Sequence, residues 1–125
     1  MREVVRTENA PQPAGAYSQA IVNDGWVYVA GQGPTDPKTR QKVPGGVAAE
    51  TRQVLTNIQS ILAAAGCSMR DVVKVNVYLR DAGDFAEMNK VYTTFWPENP
   101  PARTTVQAIP PADILVEIDC VARRP

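Results

Sequence analysis

The chain contains no histidine. That absence removes Ser-His-Asp and Cys-His nucleophile systems and every histidine-ligated metal site, so any acid–base chemistry must fall on a carboxylate, Tyr, Lys or Cys. Cysteine is scarce as well. Cys67 and Cys120 fit neither a CxxC motif nor a disulfide framework, and free thiols in a reducing compartment are the simplest account. Neither sign of charge is in excess, with 13 Lys+Arg against 13 Asp+Glu, and no Lys/Arg run exists that could track a phosphate backbone. Charge-driven binding to nucleic acid or to an anionic membrane is therefore disfavoured. No segment is long and apolar enough to span a bilayer, and residues 1–6 carry charges where a secretory signal needs an apolar run. A soluble, cytoplasmic protein is expected. Its 125 residues read as one domain, 1–125, large enough to bury roughly two-thirds of the surface that its unfolded chain exposes.

What is present is a succession of short periodic segments. Residues 3–7 read as a first strand, followed by an irregular stretch, 9–15, that delivers Tyr17. Residues 18–22 and 26–30 are β-like runs around Asn23-Asp24-Gly25, and Asp-Gly between apolar runs signals a hairpin. Gly31-Gln32-Gly33-Pro34 breaks the second of these strands, and 35–46 reads as an exposed loop. The two glycines do not make a phosphate loop, because neither GxGxxG nor a Lys-Ser/Thr pair follows; a bend and a close backbone approach fit them better. Val47, Val54, Leu55, Ile58, Ile61, Leu62 and Ala65 recur at helical spacing, with Glu50, Arg52, Gln53 and Gln59 between them, and Gly66 ends the helix. Val73, Val75, Val77 and Leu79 alternate with Lys74, Asn76, Tyr78 and Arg80, the period of a strand with one buried face. Asp81 or Asp84 can cap a second helix whose apolar stripe is Phe85, Met88, Tyr92 and Phe95, and Pro97 and Pro100-Pro101 stop it.

The last quarter supplies two more strands. If Val106, Val116, Ile118 and Cys120 point into the core, alternation sends Arg103, Thr105 and Glu117 to the opposite face. One cation and one carboxylate on a shared face can hold a small carboxylate and position a water, or can simply form a structural ion pair. The order is thus β-β-β-α-β-α-β-β, an α+β fold in which two helices cover one face of a single mixed sheet. The second face should carry Trp26, Tyr28, Tyr78, Leu115 and Val121 beside Arg103, Glu117, Lys74 and Asp119. It is too polar for a private core and too apolar for open solvent, and another copy of the chain is the natural cover.

Glu8-Asn9-Ala10-Pro11, Gly15-Ala16-Tyr17-Ser18-Gln19-Ala20, Ala30-Gly31-Gln32, Pro101-Ala102-Arg103 and Val116-Glu117-Ile118 together resemble the RidA/YjgF family of reactive-intermediate deaminases. The resemblance runs over nearly the whole chain in the right order. It implies a chorismate-mutase-like fold assembled as a homotrimer, with sites in the clefts between subunits. It also implies hydrolysis of 2-imino acids and their enamine tautomers to 2-oxo acids and ammonia, with no metal or organic cofactor.

Carried over by position, the family's carboxylate clamp falls on Arg103, its water-positioning acid on Glu117, its site tyrosine on Tyr17, its backbone contact on Gly31 and its helix asparagine on Asn89, as a supporting residue. Three positions depart from the family. Ala30 replaces a frequent Ser, Thr105 stands where some members have a thiol two residues after the Arg, and 107–113 is one residue short; these bear on substrate preference. Each assignment has a plainer counterpart, an interface ion pair for Arg103 and a buried ring for Tyr17. A non-catalytic trimeric module that binds a 2-oxo acid or another protein is the rival from a different class, and nuclease activity is disfavoured by the charge balance.

Overall fold

The computed structural model describes residues 1–125. Six strands form one sheet in the order β1-β2-β3-β6-β4-β5. They are β1 (Glu3–Val5), β2 (Ala20–Asn23), β3 (Trp26–Gln32), β4 (Val72–Leu79), β5 (Ala102–Gln107) and β6 (Val116–Arg123). All neighbours are antiparallel except β4 and β5, so the sheet is mixed, as expected. Helices α1 (Gly46–Ala64) and α2 (Phe85–Phe95) complete the expected β-β-β-α-β-α-β-β order. No helix is long and apolar enough to cross a membrane.

Local chemistry explains the elements. The β2–β3 turn is tight because Asp24 and Gly25 both take positive φ, 53° and 78°, a pairing whose twist matches that of the flanking strands. On α1 the stripe Val47, Val54, Leu55, Ile58, Ile61 and Leu62 is wholly buried, and Gly66 ends the segment at φ 82°. These side chains meet Val27, Val75, Val77, Leu79, Val116, Ile118 and Cys120 from the sheet in one core cluster. Asp81 caps a short 3-10 turn, Ala82–Asp84, through Gly83 N at 2.8 Å, and the turn runs into α2. Trp96 closes the far end, its ring 4.7 Å from that of Tyr92 and its Nε1 donating to Met69 O.

The structure departs from the sequence expectation at several positions. Val73 is exposed and Val72 is buried, because a bulge sets Val72 opposite Ala122 and Lys74 opposite Val121 and so interrupts the alternation. Phe85 lies 42% exposed at the start of α2, and Val91 takes its place in the buried stripe with Met88 and Tyr92. Leu115 packs against the core and leaves the second face. Glu50, expected among the polar residues of α1, is buried to 3% exposure.

Candidate active site

The edge strand β5 decides the site. It pairs with β4 so that Arg103 lies opposite Val75 and Thr105 opposite Val77, and directly paired residues share a face. Val75 and Val77 are fully buried beneath the helices. Arg103 and Thr105 therefore point to the helix side, and Val106, expected in the core, is 43% exposed on the other side. Glu117 lies between the buried Val116 and Ile118 and opposite Tyr78, on the face away from the helices. The expectation that Arg103 and Glu117 share a face is overturned, and with it the structural ion pair between them within one chain. A one-residue change of phase on β5 is enough to do this, because the side-chain period of a strand is two.

On the helix side, α2 builds a seat for Arg103. Asn89 Oδ1 accepts from Arg103 Nη1 at 2.8 Å, and the guanidinium carbon stands 4.5 Å from the Tyr92 ring centroid and 5.3 Å from that of Phe85. Residues 85, 89 and 92 succeed one another at four- and three-residue steps, which is one face of a helix. The chain's ion pairs are Lys42–Asp113 and Arg124–Glu3, so Arg103 is half-buried without a carboxylate of its own. Two buried hydroxyls on the same side, Thr105 Oγ1 and Tyr92 OH, have no hydrogen-bond partner. Burial pushes the Tyr92 phenol up to about 12, against the opposing pull of the Arg103 charge, so it stays neutral at any ordinary pH.

On the other face, Gly31 and Glu117 meet. A bulge between Val29 and Gln32 carries β3 past β6, and a Cβ on Gly31 would collide with Glu117 Oε2. The glycine lets the Glu117 carboxylate lie against the strand, and a side chain there would displace it. Burial, and then the charge of Asp119, raise the Glu117 carboxyl from its usual value. Tyr17 lies in the segment before β2, 51% exposed, with Ala14 N donating to its hydroxyl at 3.2 Å. β2 and β5 are four strand spacings apart, roughly 19 Å. One chain thus joins Arg103 to Asn89, and Gly31 to Glu117, but does not bring the two pairs together, and Tyr17 lies far from Arg103.

Sequence reasoning missed three polar side chains that hold this frame from behind. Asn57, fully buried on α1, donates to Gly33 O at 3.2 Å and Thr35 O at 2.9 Å, just beyond Gly31. Glu50 Oε1 accepts from Leu115 N at 2.7 Å, two residues before Glu117. Gln19, buried beside β2, donates to Thr7 O and Pro11 O and accepts from Thr7 N, tying down the segment that delivers Tyr17. The signal was available for the α1 pair, since 50 and 57 fall on the apolar stripe at three- and four-residue spacing from Val47, Val54 and Ile61. No cluster of three or more Cys, Asp or Glu is placed to hold a metal ion.

An α+β fold with an aromatic-seated arginine on one face of its sheet and a partly buried carboxylate on the other is what one chain presents, and comparison with known proteins gives it a family. The endoribonuclease L-PSP family model matches residues 7–124, and the chain belongs to that family, which is the RidA/YjgF family. A RutC family protein of Pyrococcus horikoshii is 52% identical over 123 residues, covering 98% of both chains. The rat 2-iminobutanoate/2-iminopropanoate deaminase is 46% identical over 123 residues, covering 98% of this chain and 90% of its own. The crystal structure of Escherichia coli TdcF with bound serine superposes with a TM-score of 0.94 at 34% identity, covering 98% of this chain and 99% of that one.

Proposed function

We propose that this protein hydrolyses reactive 2-imino acids and their enamine tautomers to 2-oxo acids and ammonia. The observation that carries the reading is Arg103, half-buried between two rings and an amide oxygen and facing no carboxylate of its own chain. The planar fork of such a guanidinium matches the two oxygens of a substrate carboxylate. The deaminase name of the rat relative and the amino acid bound to TdcF support the same class of small carboxylate ligand. A chain with no net charge has nothing comparable for a polyanion.

In the proposed reaction Arg103 clamps the carboxylate and Glu117 takes a proton from water as its oxygen adds to the imine carbon. The proton then passes to the nitrogen of the tetrahedral adduct; as the carbonyl forms, Glu117 takes the proton of the adduct's hydroxyl and delivers it to the same nitrogen, so that the C–N bond breaks and ammonia leaves. Imines hydrolyse unaided at appreciable rates, so positioning and one acid–base group suffice. Because Arg103 and Glu117 lie on opposite faces of the sheet, the working site is assembled between copies, with the Arg103–Asn89 edge of one chain set against the Gly31–Glu117 face of another. Tyr17 and Thr105 line that junction, and a homotrimer closes it. Two free, buried cysteines are in keeping with a cytoplasmic setting.

The test is turnover of iminopropanoate and iminobutanoate generated in place by an amino-acid oxidase and trapped with semicarbazide. The parent protein should accelerate loss of both, and Glu117→Gln, which keeps shape but accepts no proton, should fall by roughly a hundredfold or more. Equal decay with and without protein, accompanied by binding of pyruvate, would identify a binding module instead.

A further inference from the structure

The geometry points to Asp119 as an electrostatic positioning residue that makes Glu117 a better proton acceptor. This rests on Glu117 as the water-activating carboxylate. Glu117 and Asp119 are two residues apart on β6 and face the same way, with Cα atoms roughly 7 Å apart. Across β4, Tyr78 stands opposite Glu117 and Asn76 opposite Asp119, yet both side chains donate to Asp119, Tyr78 OH to Oδ2 and Asn76 Nδ2 to Oδ1, each at 2.9 Å. The donors that β4 offers to this face thus fix Asp119 and leave the Glu117 oxygens to other partners. Both donors are neutral, so the negative charge is held in place without being cancelled.

The remaining charged groups that one chain places on this face look elsewhere, and the cation that the proposed assembly brings toward Glu117 is Arg103 of another copy, present equally in the parent and in every variant below. Lys74 Nζ donates to Thr104 Oγ1 at 2.7 Å, and Arg123 turns onto the Trp26 ring and the Asp24 carbonyl. From β3 the neighbour of Glu117 is Gly31, and the titratable side chain on that strand's face is Tyr28, opposite Val121. Neither cation lies within 4 Å of Asp119. Burial is the larger effect opposing loss of the Glu117 proton, and a held, uncancelled anion on the same strand acts in the same direction. Tyr78 is raised in turn, first by its hydrogen bond to Asp119, and so remains a donor. A carboxylate that binds its proton more tightly is the better base toward water.

The experiment follows the Glu117 carboxyl directly by NMR in protein labelled at glutamate carboxyl carbons, with Glu117→Gln identifying the resonance, beside the pH profile of kcat/KM for iminopropanoate. In Asp119→Asn, the Glu117 midpoint and the acid limb of the profile should both move to lower pH, with plateau kcat falling by less than about tenfold. Asp119→Glu keeps the charge and should leave both close to the parent. Asn76→Lys, which pairs with Asp119 instead of removing it, should move them in the same direction as Asp119→Asn and serves if that variant does not fold. A Glu117 midpoint unmoved in the folded neutralising variants overturns the proposal. A parent that turns over no imine sinks the deaminase reading, while the carboxyl titration still decides the coupling between the two acids.

Discussion

Arg103 concentrates the chemistry of the helix side at one residue. A free arginine on an edge strand would sample many rotamers; here one Nη is held by Asn89, and the guanidinium lies over the rings of Tyr92 and Phe85. Arg103→Lys keeps the charge but loses the fork and the flat stacking surface. Its kcat/KM for iminopropanoate should fall roughly tenfold to a hundredfold, about the worth of one charged hydrogen bond, with the assembled mass unchanged. Full turnover in Arg103→Lys, together with loss of assembly in Arg103→Ala, would make the residue a subunit tie. The identities of Arg103, Glu117 and Gly31 were legible in the chain through short motifs. Asp119 and Tyr78 were legible only as members of a polar face, because their hydrogen bond joins residues 41 positions apart.

Among the elements, α1 does more than fill the core. Its apolar stripe is interrupted at 50 and 57 by buried polar side chains, and each reaches a backbone group beside the candidate site, Leu115 N before Glu117 and the carbonyls of Gly33 and Thr35 after Gly31. Gln53 Nε2 donates to Asn57 Oδ1 at 2.9 Å and completes that side chain's bonding. Burial raises the cost of losing these partners, since a stranded buried carbonyl keeps its full desolvation penalty. Asn57→Leu keeps the branched shape of the side chain and raises helix propensity slightly while removing the amide donor, so it should still destabilise the protein by about 1–3 kcal/mol in denaturant unfolding. It should also lower turnover by loosening residues 31–35. An unchanged midpoint would mean that water replaces the amide at no cost.

For the whole molecule, the proposed site calls for more than one chain, because its candidate groups stand on opposite faces of the sheet. The face away from the helices exposes Trp26, Tyr28 and Val106 in part, and β5 is an edge strand with one side of its backbone unpaired. Burying that surface between three copies should give, by light scattering, about three times the chain mass of 13.6 kDa. Val121→Asp places a charge at the middle of this face and should lower the mass while far-ultraviolet dichroism still reports a folded chain. A monodisperse monomer of the parent at micromolar concentration refutes the assembly and, with it, a site shared between copies.

The amino-acid sequence by itself determined the order of elements, the hairpin at Asp24-Gly25, the buried face of α1 and the burial of Val75, Val77, Leu79, Val116 and Ile118. Each of these follows from periodicity or turn chemistry within about twenty neighbouring residues, where local sterics dominate. Tertiary structure alone decided which way β5 turns. Val106 is the sort of residue that alternation assigns to a core, but an edge strand takes its phase from the neighbour it pairs with, and the parallel register on β4 places Val75 beside Arg103. The bulges at Val73 and near Gly31 are likewise set by pairing across strands, one moving Val72 inward and the other carrying Gly31 against Glu117. A contact between residues far apart in the chain leaves no local period to read, and for that reason the candidate residues and the face of Glu117 could be named from the sequence while the face on which Arg103 stands could not.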